Sequence, residues 1–322
     1  MFSETGVYRY STVLMGSPIL LKLFEFNQTL AGNVFRLIKQ QEEIFTVNRP
    51  HSEVMSINRA AGKHAVAVSR VLYEVIKRAK EASMLPDSRF NFTIGPLVKR
   101  WKIGFNGESV PPARELNALL RLIDPRQVDL DDATASVYLQ RQGMEIDLGA
   151  IAKGYIADVV RDYLLQRGVR DALINLGGNV LALGNSVRQA WRIGLKQPFA
   201  ADDTPLGIIN VTDKSVVTSG IYERYFMRDG CCYHHILDPQ TGYPLDNELL
   251  SVTVICDNAI DGDIWTTLMY GQGVRKGLET LRRNPSIEAI FVTRNRQIVC
   301  SSQRYFAFNL LDDSYQLTGK TA

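Results

Sequence analysis

The order of strand-like and helix-like segments is the feature that most limits how this chain of 322 residues can fold. Residues 8–26 alternate apolar and polar side chains around Gly16-Ser17-Pro18, which predicts a hairpin. Apolar residues then recur at helical spacing over 30–45 and again over 69–83. A doubly wound parallel sheet needs regular alternation of strands and helices, so this order argues against one. We expect an α/β (α+β) fold with mixed or antiparallel sheets and flanking helices, formed by residues 1–322 as one domain of two lobes.

The middle of the chain predicts another helix, a second hairpin and a long helix. Residues 112–123 carry proline near the first turn, where its missing amide hydrogen costs nothing. Two β-type runs, 136–139 and 144–147, flank the turn signal Arg141-Gln142-Gly143 and predict the hairpin. Apolar residues over 151–164 keep one helical face. The remainder predicts mainly strands, with helices at 261–270 and 273–283 and closing strands at 289–293 and 297–300.

Composition excludes several classes of protein. The 37 basic residues barely outnumber the 34 acidic ones and cluster only in pairs, which argues against nucleic-acid binding. The N-terminus lacks a basic segment followed by an apolar stretch, so neither a signal peptide nor a membrane span is expected. The four cysteines lack the spacings of zinc ligands or of a disulfide framework. We therefore expect a cytoplasmic protein with reduced thiols and without nucleic-acid or membrane partners.

A glycine-containing segment, Asp147 to Gly154, stands where a strand pattern runs into the long helix. Its glycines let a ligand approach the main chain, and the start of the helix presents amide hydrogens to an anion. Lys153 adds a cation one turn into the helix. Phosphate is the natural ligand for such a site, although a tight strand-to-helix turn accounts for the pattern equally well.

Asp263 and Thr267 are four residues apart in a predicted helix and therefore share one face. A carboxylate and a hydroxyl are hard oxygen ligands that suit Mg²⁺, which completes its shell with substrate phosphates and water. The alternative is an acidic residue favoured by the helix dipole beside an ordinary helix threonine.

The adjacent pair His234-His235 precedes Asp238-Pro239 and a Thr-Gly turn. Histidine titrates near physiological pH, so this segment offers a general base or a polar contact for a ligand. A metal shared by both histidines is disfavoured, because neighbouring strand residues point to opposite faces. His51 and His64 lie in turn or loop patterns and are expected to be solvated.

Eight short segments, taken in order, resemble the ApbE family of FAD:protein FMN transferases. They are spread over nearly the whole chain: Met15-Gly16-Ser17, Pro50 to Glu53 with Asn58, Phe92 to Val98, Asp147 to Gly154, Asn175 to Gly178, Thr218 to Gly220 with Tyr225-Phe226, His235 to Pro239 with Thr241-Gly242, and Ser251 to Val254 with Asp263 and Thr267.

The resemblance implies a T-fold-like architecture with an FAD cleft. It also implies a Mg²⁺-dependent enzyme that cleaves FAD, attaches FMN by a phosphoester bond to a threonine or serine of a partner flavoprotein, and releases AMP. By position, it assigns the metal to the Ala150 carbonyl, Asp263 and Thr267, with Thr266 beside them. It places FAD contacts at Met15, Asn48, Arg89, Phe90, Asn91, Asp147, Lys153 and Leu237. His235 matches the histidine of the family's His-x-x-Asp-Pro motif and is the candidate for proton transfer, with Asp238 as the second candidate.

Two other functions remain open at this point. A Mg²⁺-dependent FAD pyrophosphatase, releasing FMN and AMP, needs Asp263, Thr267 and Lys153 but no acceptor protein. A non-catalytic FAD-binding protein is suggested by Asn48, Asn91 and Ile221, which differ from the residues most family members carry. The missing signal peptide implies an acceptor in the cytoplasm.

Overall fold

The computed structural model describes residues 6–105, 107–186, 189–200 and 204–318; the segment 1–5, part of the N-terminus considered above for a signal peptide, lies outside them. The helices within this part of the chain are α1 (Gln28–Phe45), α2 (Glu53–Ala60), α3 (Arg70–Ser83), α4 (Gly95–Trp101), α5 (Ala113–Leu120), α6 (Ala152–Gln166) and α7 (Ala259–Arg282), with a 3-10 turn at Pro125–Gln127. The strands are β1 (Tyr8–Leu14), β2 (Ser17–Leu23), β3 (Val66–Ala67), β4 (Val128–Asp131), β5 (Ser136–Leu139), β6 (Ala172–Leu176), β7 (Asn179–Leu183), β8 (Trp191–Lys196), β9 (Pro205–Val211), β10 (Lys214–Gly220), β11 (Tyr225–Arg228), β12 (Cys231–His234), β13 (Leu249–Cys256), β14 (Glu288–Thr293), β15 (Gln297–Cys300), β16 (Ala307–Leu310) and β17 (Gln316–Thr318).

The chain divides into two compact units. The first comprises Met1–Gln41, Lys153–Gly220 and Glu248–Ala322, and the second comprises Glu42–Ala152 and Ile221–Asn247. Both contain helices and antiparallel strands, which confirms the predicted α/β class.

The first unit is built on a nine-stranded sheet in the order β1-β2-β6-β7-β10-β13-β14-β15-β17. Its pairings are antiparallel except for the parallel contact between β15 and β17. A smaller sheet, β16-β9-β8, adds Trp191, Ile209 and Phe308 to a shared apolar core with Ile290 of β14. Burial of β-branched and aromatic side chains on these pleated faces accounts for the strand assignment.

The predicted first hairpin is present, but its turn lies one residue earlier than expected. Leu14 pairs with Ser17, so Met15 and Gly16 form the two-residue turn, with φ angles of 52° and 65°. Two positive φ angles are typical of the type I′ turn that suits the twist of a hairpin. Ser17 and Pro18 therefore belong to the strand.

The predicted break between two C-terminal helices is also present. A single helical stretch, α7, runs through it, but Gly273 has a φ of 73° and interrupts the helical geometry. The carboxylate of Glu248 accepts a hydrogen bond from the Val274 N–H at 2.8 Å, which provides a partner for a donor at the restart of the helix.

The second unit contains helices α2 to α5, the sheet β3-β5-β4 and the hairpin β11-β12. Trp101 lies at its core, where its indole N–H donates to the Gly242 carbonyl at 2.8 Å. Tyr233 of β12 stacks on Trp101 and on Phe226 of β11, with ring centroids 5.7 Å and 5.2 Å apart. One face of the β11-β12 hairpin is thereby fixed to the core of this unit.

The predicted hairpin of 136–139 with 144–147 is wrong. Strand β5 pairs instead with β4, and Asp131 lies opposite Ser136. The Asp131 carboxylate accepts the Ala133 N–H at 2.9 Å, and Ala135 adopts a φ of 49°, so the turn forms before β5 rather than after it. Residues 144–147 form no sheet strand and contribute only a parallel bridge between Glu145 and Ile94.

Helix starts differ from the sequence pattern at α5 and α2, and helix α4 was not predicted either. Pro112 is the residue before α5, with a ψ of 143°, rather than a member of its first turn. Helix α2 was not predicted, although its start is marked by Ser52, whose hydroxyl accepts the Met55 N–H at 3.1 Å.

None of the helices in the described ranges is both long enough and apolar enough to span a lipid bilayer.

Candidate active site

In the first unit, three elements converge on the carboxylate of Asp263, which lies in the second turn of α7. Its Oδ2 accepts the main-chain N–H of Gly154, from the start of α6, at 2.6 Å. Its Oδ1 accepts the side-chain amide of Asn179, the first residue of β7, at 2.9 Å. The carboxylate is therefore held in one orientation by groups from both neighbouring elements.

The surroundings of Asp263 disfavour its negative charge. Desolvation by the protein raises its pKa from 3.8 to about 7, although the hydrogen bonds from Gly154 and Asn179 and the charge of Lys153 act in the opposite direction. The charged form therefore lacks full compensation by this chain's own groups. A bound cation would supply the missing positive charge.

The start of α6 approaches the start of α7 so closely that only glycine fits between them. A Cβ atom on Gly154 would lie 2.2 Å from the Ala259 carbonyl oxygen. This close approach brings the Gly154 N–H to Asp263. Gly154, the second glycine of the segment from Asp147 to Gly154, therefore allows the two helices to pack as well as contributing its N–H to the site.

Asn179 was not predicted as a site residue. Its side chain is buried, and its Oδ1 is a buried oxygen that has no hydrogen-bond partner among the described residues. A buried carbonyl oxygen without a partner costs about 1–3 kcal/mol. Its place at the end of the Gly-containing turn 175–179 was the only signal in the sequence.

Thr267 lies one helical turn after Asp263 on the same face of α7, as the spacing predicted, and it is half-buried. Thr266 is buried, and its hydroxyl donates to the Asp263 main-chain carbonyl at 2.9 Å. In the described ranges, no three His, Cys, Asp or Glu side chains are grouped as they would be in a metal cage. A cation at Asp263 would therefore draw most of its ligands from hydroxyl, carbonyl, water or substrate oxygens, which is the set that Mg²⁺ prefers.

Lys153 extends from the start of α6 toward the first hairpin. Its Nζ donates to the Ser17 hydroxyl at 3.3 Å, and Ser17 follows the Met15-Gly16 turn. Lys153 also contributes a positive charge to the surroundings of Asp263. In the first unit, the Asp263 carboxylate and the Lys153 ammonium therefore lie close together at the starts of α6 and α7.

In the second unit, the adjacent histidines have opposite hydrogen-bond patterns. His234 is buried; its Nε2 lies 3.0 Å from the Leu245 carbonyl and its Nδ1 accepts the Ile236 N–H at 3.3 Å. The Nδ1 of His235 lies 3.2 Å from the Arg224 carbonyl. A carbonyl only accepts, so the proton is on Nε2 in His234 and on Nδ1 in His235.

Asp238 is a well-satisfied turn residue. Its Oδ1 accepts from Arg89 Nη1 and from the Gln240 N–H, both at 3.0 Å, and its Oδ2 accepts the Thr241 hydroxyl at 3.3 Å. These bonds fix the turn that follows His235 and tie it to Arg89. The predicted FAD contact Arg89 and the second proton-transfer candidate are therefore one ion pair.

Asp147 precedes the glycine turn and is held by main-chain bonds. Its N–H donates to the Phe92 carbonyl at 2.8 Å, and its Oδ1 accepts the Gly149 N–H at 2.7 Å. Desolvation raises the pKa of Asp147, while the Gly149 N–H and the Arg224 charge lower it. Ala150 follows in the same turn and is exposed.

The other predicted FAD contacts differ in what they can offer. The side chains of Phe90 and Leu237 are buried in the second unit, so a ligand outside that core would meet their main chain. The Asn91 side chain accepts the Thr93 N–H at 2.9 Å and the Thr93 hydroxyl at 2.7 Å. Asn48 is exposed, beyond the end of α1.

The family model described as the ApbE family matches residues 15–291. The chain belongs to the ApbE family. All predicted site residues, from Met15 to Thr267, lie inside the matched stretch, and the resemblance inferred from the eight segments is confirmed.

Other ApbE proteins match over nearly the whole chain. An FAD:protein FMN transferase of Klebsiella pneumoniae is 58% identical over 99% of this chain and 100% of its own length. One of Treponema pallidum is 37% identical over 88% of this chain and 82% of its own length. The crystal structure of the ApbE protein of Thermotoga maritima is similar with a TM-score of 0.82, at 31% identity, over 92% of this chain and 97% of that one. The predicted enzyme class, a transferase, is confirmed by these relatives.

Proposed function

We propose that this protein is a Mg²⁺-dependent FAD:protein FMN transferase. It cleaves FAD, joins FMN through its phosphate to a threonine or serine hydroxyl of a partner flavoprotein, and releases AMP. The observation that carries the proposal is the Asp263 carboxylate, held by Gly154 and Asn179 beside the cation Lys153. The names of the ApbE relatives support the transfer of FMN from FAD to a protein.

The residues around Asp263 fit a magnesium ion. Asp263 and Thr267 supply a carboxylate and a hydroxyl from one face of α7, and the unpartnered Oδ1 of Asn179 can accept a hydrogen bond from a coordinated water. Thr266 is the weaker ligand candidate, since its hydroxyl is already bonded to the helix. The Ala150 carbonyl, which belongs to the second unit, stays a prediction from the resemblance. When bound, Mg²⁺ neutralises charge on the phosphoryl oxygens.

Lys153 stabilises negative charge that moves from the pyrophosphate to the AMP leaving group. The positive end of the α6 dipole favours an anion in the same place. Ser17 orients the Lys153 ammonium through its hydroxyl. These groups act on charge in the transition state and require no covalent contact with the substrate.

His235 is the proton acceptor in this proposal. With the proton of its own ring on Nδ1, the Nε2 lone pair can take the proton of the acceptor hydroxyl as that oxygen attacks the flavin-side phosphorus. The new phosphoester bond forms between the acceptor oxygen and the flavin-side phosphorus. At the same time, the bond from that phosphorus to the bridging oxygen of the pyrophosphate breaks, and the bridging oxygen leaves with AMP. Asp238 supports the following turn instead, because its oxygens already accept three hydrogen bonds.

The remaining predicted contacts are proposed to bind FAD. Asp147 and Met15 lie at turns, and Arg89, Asn91 and Asn48 offer polar side chains. Phe90 and Leu237 take part through their main chain, since their side chains are buried.

Incubation with FAD, Mg²⁺ and acceptor flavoproteins tests the proposal. We expect a flavin band that survives denaturing electrophoresis with the wild-type protein and is absent with Asp263→Asn. A pyrophosphatase would release free FMN and AMP at the same rate with or without acceptor, and that result would contradict the transferase assignment.

A further inference from the structure

Arg224 is tied to His235 through its main chain. Its carbonyl oxygen accepts both the His235 N–H at 3.1 Å and the His235 Nδ1–H at 3.2 Å. Arg224 stands immediately before β11, and this double contact joins the start of β11 to the residue after β12. The side chain of Arg224 therefore starts from the same point that sets the orientation of the proposed base.

The Arg224 side chain packs against Gly104 and Phe105. Gly104 has a φ of 81°, and a Cβ atom there would lie 2.6 Å from Arg224 Cδ. The guanidinium carbon lies 5.8 Å from the centre of the Phe105 ring, within range of a cation–π contact. Phe105 is 54% exposed, so this apolar support is open to solvent.

The charge of Arg224 lacks the compensation that other arginines of this chain have. Arg89, Arg100 and Arg161 each contact a carboxylate, at 3.0, 2.6 and 3.0 Å. For Arg224, in contrast, the described residues provide neither an ion pair nor a hydrogen bond to the guanidinium.

The surroundings of Arg224 are nevertheless not those of a fully solvated side chain. Nearby protein desolvates the guanidinium and lowers its pKa, while the charges of Asp147 and Glu223 raise it. By its accessible surface the residue as a whole is exposed, so the guanidinium can be reached from solution. A partly desolvated cation with its planar donors unused is suited to an anion that arrives from solution, and phosphate matches the guanidinium in a bidentate manner.

We propose that Arg224 binds a phosphate group of the flavin nucleotide. The inference rests on the proposed function: a base that accepts the proton of the attacking hydroxyl must lie near the phosphorus under attack, and Arg224 contacts that base. Neutralising charge on the phosphoryl oxygens at this point would assist both binding and transfer. The resemblance to the ApbE family did not mark this residue as a site residue.

Equilibrium binding of FAD, FMN and riboflavin, followed by flavin fluorescence in the absence of Mg²⁺ and acceptor, tests the inference. Arg224→Gln should weaken FAD and FMN binding by at least about tenfold, as expected for loss of a charge-assisted hydrogen bond, and leave riboflavin binding unchanged. Arg224→Lys keeps the charge but not the planar guanidinium. Its affinity for FAD and FMN should lie between those of the wild type and Arg224→Gln. Both variants keep the main-chain carbonyl that holds His235.

Arg228→Gln is the matched control, because Arg228 is exposed on the same hairpin and its Nε lies 3.8 Å from the Asp229 carboxylate. It should bind all three flavins like the wild type. Equal losses for FMN and riboflavin, or unchanged FAD affinity with a raised KM for the acceptor protein, would overturn the phosphate assignment. If Arg224→Gln fails to fold, the same comparison with Arg224→Lys decides. A wild-type protein that binds no FAD would instead refute the proposed function itself.

Discussion

His234 and His235 show how neighbouring residues of one type acquire different properties. Both ring nitrogens of His234 are bonded to main-chain groups, which fixes a neutral, buried imidazole. His235 has its Nδ1 proton directed to the Arg224 carbonyl, so Nε2 carries the lone pair. The difference follows from which carbonyl each ring meets, since a carbonyl dictates the tautomer.

Replacing each histidine by alanine should separate structure from chemistry. We expect His235→Ala to lower the rate of FMN transfer by about 10²- to 10⁴-fold, the usual contribution of a general base, with little change in the free energy of unfolding. We expect His234→Ala to lower the free energy of unfolding by about 1–3 kcal/mol, because buried main-chain groups lose their partners. Initial rates and urea unfolding curves measure both. Equal losses of activity in the two variants at full folding would argue against this division.

The sequence predicted the segment that contains both histidines and selected His235 by its motif, but not the physical difference between them. The partners that set the tautomers, Arg224 and Leu245, are each 11 residues from the histidine they bind. Asn179 illustrates the same limit, since its contact with Asp263 joins residues 84 positions apart. A periodic pattern reports burial along one element and carries no information on such pairs.

At the scale of elements, the starts of α6 and α7 form the framework of the proposed cation site. Asp158 of α6 accepts the N–H groups of Ala259 and Ile260, both at 2.9 Å, and so caps the first turn of α7. Asn258, the residue before α7, makes no side-chain capping bond of its own. Helix α7 therefore depends on α6 for its first turn, and Gly154 allows the approach.

Gly154→Ala should disrupt this framework. The added methyl group meets the Ala259 carbonyl, so we expect a loss of about 1–3 kcal/mol in the free energy of unfolding or more, and loss of FMN transfer as Asp263 is displaced. Gly32→Ala is the matched control in α1, because a Cβ there meets nothing within 4 Å. We expect Gly32→Ala to raise the free energy of unfolding by about 0.5–1 kcal/mol, because alanine has a higher helix propensity than glycine. Thermal and urea unfolding measure both, and a harmless Gly154→Ala would show that the helices are not so close.

Asp158→Ala removes the cap on α7 and should destabilise the protein by about 1–3 kcal/mol. Desolvation raises the pKa of Asp158 in the folded state above its ordinary value of 3.8. The folded state then holds this proton to higher pH than the unfolded chain does, so the contribution of Asp158 to stability falls as the pH rises from 3.8 through the folded pKa.

The difference in unfolding free energy between wild type and Asp158→Ala should therefore shrink with rising pH over that window. Urea unfolding at a series of pH values measures it. A difference that grows with pH would mean that the capping bonds and Arg161 outweigh desolvation and that the pKa of Asp158 is lowered rather than raised.

The elements themselves were largely predictable from period and punctuation. Helices α1, α3 and α6, the first hairpin and the break near Gly273 follow from apolar spacing and turn residues. The hairpin of β4 and β5 was not predicted, because Gly143 was the stronger turn signal in the sequence. In the structure, the Asp131 side chain closes the turn instead. Local side-chain to main-chain bonds decided the register there, and composition alone does not reveal them.

At the scale of the whole molecule, the residues named in the proposed reaction are distributed over both units. The first unit carries Asp263, Thr267 and Lys153, which are proposed to act on phosphate and cation, and the second carries His235 and Arg224, which are proposed to act on proton and phosphate. The segment from Asp147 to Gly154 runs from the second unit into the first. The order of the eight motifs along the chain predicted the family. The distribution of the motif residues over two units was not evident from the sequence and required the structure.

The fate of the flavin phosphate distinguishes FMN transfer to a protein from hydrolysis of FAD. FAD labelled at the flavin-side phosphorus, Mg²⁺ and acceptor flavoproteins would be combined with wild-type protein, His235→Ala or Asp263→Asn, and AMP, free FMN and protein-bound FMN would be quantified together. We expect the wild type to form AMP and protein-bound FMN in equal amounts, with the FMN on a threonine or serine identified by mass spectrometry, and both variants to form little of either. AMP accompanied by an equal amount of free FMN, with no label on any acceptor, would contradict this expectation.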